Sequence, residues 1–296
     1  MEFVSVVAIA IVVGATAYAF LRKALLSLVY GVAILAVYAL EAASAPFGFI
    51  FLSPIARELG LLVLPGSVPV AYSWITFEFV HGSETHVLLN LLGLILISPM
   101  FEERIGSVRW AVLFFAGGAF GALVFVLVHL AQGNLLVGAS AGIFAVFGAY
   151  GRLFPRDRVT LFLPLPGIPA LPVIQVVVLF LALEMVLGVL SAFGVAWEGH
   201  VGALLFGFVA APAVMRLPLR EGGRSPRLHS VAEVRDLATT PELTEILEEA
   251  ARADFPETRD AWIEKFIAAA RCPQCGGPLQ RRFGRLSSRC GWHRSL

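Results

Sequence analysis

The chain has 296 residues, 58% of them hydrophobic and only 15% charged, with a formal net charge of +1. Soluble domains carry about 25% charged residues, so the composition excludes an ordinary soluble domain and predicts a membrane protein solvated largely by lipid. A charge balance this close to neutral also argues against nucleic acid as a partner.

Seven apolar segments run along the chain, at 4–20, 24–40, 87–100, 110–130, 138–154, 172–193 and 200–215. Several fall short of the ~20 residues that cross a bilayer, as expected where a span meets thinned lipid or a water-filled cavity. The first could pass for a cleaved signal peptide, with Ala15-Thr16-Ala17 as a cleavage site. Its basic residues, Arg22 and Lys23, follow the apolar stretch instead of preceding it, and Glu2 stands at its start. That order favours a retained helix.

Lys and Arg set the orientation. Arg22 and Lys23, Arg104 and Arg109, Arg152, Arg156 and Arg158, and Arg216 and Arg220 fall on alternate connections, with Arg57 the exception. The expected topology is seven spans, N-terminus outside and C-terminus in the cytoplasm. No Arg- and Ser-rich transit segment precedes the first span, so the expected location is a plasma membrane. The 41–85 connection is apolar enough to lie in the membrane interface.

Beyond Met215 the composition changes. Residues 220–227 form a Gly/Arg/Ser/Pro linker, and Thr240-Pro241-Glu242 and Pro256-Glu257 each read as a helix start. The last 25 residues hold Cys272-Pro-Gln-Cys275 and Cys290-Gly-Trp-His293, with 14 residues between the two pairs. Cys272, Cys275, Cys290 and His293 make a four-ligand set for a structural zinc ion. A disulfide is the rival reading, but three cysteines cannot all pair and a cytoplasmic tail keeps thiols reduced.

Polar residues inside apolar runs are costly and mark function. His86, Asn90, Ser140 and His200 fall near the outer end of three different spans. Small residues at Gly138, Ala141, Gly142 and Ala145, and at Gly199, Ala203, Gly207 and Ala211, let the fifth and seventh spans approach closely. Ser140 and His200 would then be within reach as nucleophile and base. Taken singly, such a Ser is more often interhelical glue, and a His at a span end an interfacial residue. His81 and His129 are read in that second way, although His81 could line the outer cavity. Glu184 suggests a buried hydrogen-bonding role. Glu198, two residues before His200, has the wrong spacing to share its helical face.

These residues resemble the rhomboid intramembrane serine proteases over 24–217. The likeness rests on His81-Gly-Ser-Glu-Thr-His86-Val-Leu-Leu-Asn90, Phe101-Glu102-Glu-Arg104-Ile-Gly106, Gly138-Ala-Ser140-Ala-Gly-Ile-Phe and Gly199-His200. Each motif is weak alone; together, in order and on the expected side, they are specific. The resemblance implies an all-α polytopic membrane protein with a six-helix core. It also implies a Ser140–His200 dyad without a carboxylate, and an oxyanion hole formed by His86, Asn90 and the Ser140 N–H. Glu102 and Arg104 would shape a cytoplasmic loop.

The expected organisation is an extra N-terminal transmembrane helix at 1–23 and the protease core at 24–217. A linker and cytoplasmic helices follow at 218–271, then a zinc ribbon at 272–296. The expected activity is hydrolysis of peptide bonds in or near transmembrane segments, with no cofactor for cleavage and a structural Zn2+ in the tail. Transmembrane protein substrates and the lipid bilayer are the implied partners, with a cytoplasmic protein for the tail. Three departures stand out: Ala141 follows the serine where the family has glycine, Ala203 replaces a glycine, and Tyr72-Ser73 stands where a Trp-Arg pair is typical. The alternatives are an inactive rhomboid-like scaffold that binds membrane clients and a small-molecule transporter. The transporter fits less well, because no repeated halves are visible.

Overall fold

The computed structural model describes residues 1–159, 171–190, 196–217, 231–252, 256–282 and 285–295. The 220–227 linker and the Glu184 side chain lie outside the described residues. The chain divides into two compact units, Met1–Leu219 and Arg220–Leu296.

In the first unit the helices are α1 (Phe3–Arg22), α2 (Leu26–Ser44), α3 (Pro54–Leu59), α4 (Ser73–Thr76), α5 (Glu84–Ile105), α6 (Ser107–Val128), α7 (Ser140–Leu153), α8 (Val173–Leu190) and α9 (Trp197–Met215). Among the described residues, five of them, α1, α2, α5, α6 and α9, are long and apolar enough to cross a membrane. At 14 residues, α7 is too short to span alone, and it lies almost wholly buried among its neighbours.

Helix α5 runs further than its apolar pattern suggests. The sequence reads as ending near Met100, yet the helix continues through Pro99 to Ile105. Its last turn buries Phe101, Glu102 and Ile105. Glu102 is fully buried and accepts from the Leu26 and Ser27 amides at 2.6 and 2.8 Å, which satisfies two donors at the start of α2. Two residues along, Arg104 pairs with Asp157 at 2.9 Å, just beyond α7. Arg109 of α6 reaches the Leu217 carbonyl at 3.4 Å. The starts of α2 and α6 and the ends of α5, α7 and α9 therefore share one end of the unit, the end that carries the basic clusters.

Glycine governs the packing of α6, α7 and α9. A Cβ at Gly207 would fall on the Ala145 carbonyl, and one at Gly148 on the Leu204 carbonyl. Backbones this close gain dispersion energy that lipid cannot supply. Ala203, the bulkier residue at an expected glycine position, is accommodated by Gly121, whose Cβ would lie 3.0 Å from its methyl.

The connection between α2 and α5 folds back on the unit. Strand β1 (Leu61–Val63) pairs antiparallel with β2 (Asn134–Leu136), matching Leu61 to Leu136. Thr76 donates to the Leu59 carbonyl at 2.6 Å, and Ser73 to that of Val70 at 2.7 Å. These contacts anchor the loop without the Trp-Arg pair. Phe47, Phe49, Leu52 and Val68 stay exposed on its surface.

A second two-stranded ribbon joins β3 (Arg158–Val159) to β4 (Leu171–Pro172). In the second unit, α10 (Pro241–Arg252) is capped by Thr240, whose hydroxyl accepts from Leu243 N at 3.3 Å. It is followed by α11 (Pro256–Ala269) and a three-stranded sheet of β5 (Gln280–Arg282), β6 (Arg285–Ser287) and β7 (His293–Ser295). Helices and sheet share one apolar core that includes Leu247, Phe266, Cys272 and Leu286.

Candidate active site and metal cluster

Strand β2 leads directly into the turn that ends at Ser140. Gly138 has φ +117°, a conformation that side-chain-bearing residues rarely adopt, and its amide donates to the Phe77 carbonyl at 2.9 Å. Ser140 then begins α7. The first amides of a helix have no partner within it and carry the positive end of the helix dipole. The Ser140 N–H is thus where an oxyanion would be favoured.

Ser140 Oγ lies 2.6 Å from His200 Nε2, a hydrogen bond from the first turn of α7 to the first turn of α9. The two residues are only 8% and 6% exposed, so the pair is screened from bulk water. The His200 ring stacks on Phe144 with centroids 4.9 Å apart and planes at 24°. Phe144, one turn after the serine, closes the Gly138-Ala-Ser140-Ala-Gly-Ile-Phe motif, where nothing in the sequence assigned it a role.

His86 enters from the third residue of α5, where Ser83 caps the helix by accepting from the His86 amide at 3.2 Å. A Cβ at Gly138 would lie 2.5 Å from His86 Nε2 and 3.7 Å from Ser140 Oγ, so both groups border one small space. Asn90 is buried, and its amide nitrogen donates to the His86 carbonyl at 2.9 Å. All four polar residues therefore meet at one end of the unit.

Three other polar groups take partners that the sequence did not reveal. His81 is fully buried. Its amide donates to Glu41 Oε2 at 3.0 Å, and its ring sits 5.1 Å from that of His86. Burial, helped by the neighbouring His86, pushes the His81 imidazole well below its ordinary range. Glu198 turns to His129 of the α6 C-terminus, 2.6 Å away, which ties the first turn of α9 to α6. His129 is likewise a pairing residue.

A family model described as the Rhomboid domain matches residues 69–217, half of the chain. The chain belongs to the rhomboid family. It is also 31% identical over 132 residues to RHOMBOID-like protein 4 of Arabidopsis thaliana, a stretch covering 45% of this chain and 31% of that protein. The chain thus spans well under two thirds of that relative's length.

As a rhomboid, the protein has its six-helix core in α2 and α5 to α9, with α1 as the added N-terminal helix. Outside the rhomboid core, Cys272, Cys275 and Cys290 present sulfurs that lie within 4.8 Å of one another, and all three cysteines are free. Cys272 and Cys290 Sγ are 3.7 Å apart, beyond any disulfide bond length. Hydrogen bonding, first from Ser288 and then from Cys290, holds the Cys275 thiol down at about 6. Three soft sulfur donors, with Cys275 held toward its thiolate form, fit a zinc ion. His293 is not gathered into this group; its Nδ1 lies 3.2 Å from the Gly291 carbonyl.

Proposed function

We propose that this rhomboid is an intramembrane serine endopeptidase with Ser140 as nucleophile and His200 as general base. What carries the reading is the 2.6 Å bond between Ser140 Oγ and His200 Nε2 in a buried setting. As Oγ bonds to the scissile carbonyl carbon, its proton passes to Nε2. The carbonyl oxygen becomes an oxyanion facing the Ser140 N–H, with His86 and Asn90 as side-chain donors, each worth about 3–4 kcal/mol in a dry site. Collapse breaks the C–N bond, the amine leaves with the proton from His200, and water releases the acyl group by the reverse proton path.

The substrates are transmembrane proteins whose spans unwind near the outer membrane face. The location is a plasma membrane with the N-terminus outside. Zinc would be held by Cys272, Cys275 and Cys290, with His293 as the fourth ligand once its ring turns from the Gly291 carbonyl toward the three sulfurs. With four protein ligands it would stabilise the tail, with no open position for catalysis. The tail would bind a cytoplasmic protein.

Labelling of the purified protein with a fluorophosphonate tests the nucleophile. The probe should modify Ser140 and fail on Ser140→Ala. No labelling of the wild type under any condition would favour the client-binding scaffold.

A further inference from the structure

Glu78 is the most unusual buried group outside the dyad. It sits in the 3-10 turn Phe77–Phe79, is fully buried, and neither carboxyl oxygen has a hydrogen-bond partner among the described residues. An isolated carboxylate in such a place costs several kcal/mol, so the group needs a reason to be there.

Its position supplies one. A Cβ at Gly118 of α6 would fall on Glu78 Oε1, and would lie 3.4 Å from the Gly142 amide nitrogen of α7. The carboxyl therefore fills a glycine-lined slot between α6 and the first turn of α7, two residues from Ser140. The same turn holds the other side of the nucleophile loop, because the Phe77 carbonyl accepts from Gly138 N at 2.9 Å. One short segment thus grips the Ser140 turn at two points.

We propose that Glu78 is a positioning residue: its un-ionised carboxyl, seated between α6 and α7, fixes the turn that carries Ser140, and ionisation releases that turn. The inference rests on Ser140 being the nucleophile. Burial pushes the Glu78 carboxyl well above the ordinary carboxylate range. Among the described residues, the groups around it do nothing to hold a charge. Helices α6 and α7 present Gly118 and Gly142, the flanking residues of its own turn are Phe77 and Phe79, and α2 brings the Tyr30 hydroxyl, bonded to Thr16 at 2.9 Å.

The test uses the full chain in detergent and two readouts, each followed from about pH 5 to about pH 9. The first is the rate of fluorophosphonate labelling at Ser140. Glu78→Gln should label within about twofold of wild type near neutrality and keep its rate at alkaline pH. There the wild type should fall by up to about tenfold per pH unit. Gly118→Ala, which puts a methyl where the carboxyl sits, should label slowly, and adding Glu78→Ala should restore it.

The second readout is thermal unfolding, which does not depend on chemistry. A carboxyl with a raised native pKa costs no stability below its unfolded pKa and progressively more as pH rises toward its folded pKa. The Tm advantage of Glu78→Gln over wild type should therefore widen with pH. A constant gap would overturn the proposal, as would superimposable pH profiles or a Gly118→Ala variant that labels at the wild-type rate. If the wild type labels nowhere, the protease reading fails separately, and the unfolding series still decides whether Glu78 is held un-ionised.

Discussion

At the residue scale, the polar pair was legible because lipid makes polarity expensive. Ser140 and His200 stand out in apolar runs, and counting spans puts them at the same end of the protein. Glu78 was not legible, since an acidic residue in a connecting loop reads as solvated until the loop is seen to fold inward. Gly138 lies between these cases: its motif marks it, but only the backbone shows why glycine is required. Its φ of +117° and the 2.5 Å from a would-be Cβ to His86 Nε2 leave no room for alanine. Gly138→Ala should cost at least about 2–3 kcal/mol through strain and displacement of His86. This should appear as a large loss in labelling rate at Ser140 and a lower Tm; wild-type behaviour in both would contradict the geometry.

At the element scale, the seven helices follow their apolar segments, but the ends of those segments mislead. The pattern stops at Met100 because Glu102, Glu103 and Arg104 look like a solvated exit from the membrane. The helix continues because two of these charged groups find buried or paired roles, Glu102 at the α2 amides and Arg104 at Asp157. Glu102→Ala would strip acceptors from two backbone donors and should destabilise the unit by about 2–3 kcal/mol, read as a fall in Tm with the labelling rate per folded molecule retained. An unchanged Tm would show that water replaces the carboxyl at no cost. The β1–β2 ribbon was beyond the sequence reading. Two three-residue strands some seventy positions apart leave no periodic trace, yet they deliver the chain to Gly138.

At the scale of the whole molecule, composition predicted the division between lipid-solvated and charged parts. The cysteine spacing brought three of its four expected ligands together. His293 lies in β7, and its strand geometry is invisible to a spacing rule. Cys272 belongs to the core that joins α10, α11 and the sheet, so losing the metal should loosen the whole second unit. A strong chelator is expected to release about one zinc per chain and to lower amide-exchange protection across 231–295 while leaving that of α7 and α9 intact. Stoichiometric zinc absent from the purified protein would contradict the metal assignment.

The central claim is that Ser140 and His200 together cleave peptide bonds in the membrane. The most direct measurement compares wild type, Ser140→Ala and His200→Ala on a transmembrane substrate in proteoliposomes. Cleavage by the wild type, with both variants silent and folded, is the predicted result. Equal cleavage by all three would contradict the claim.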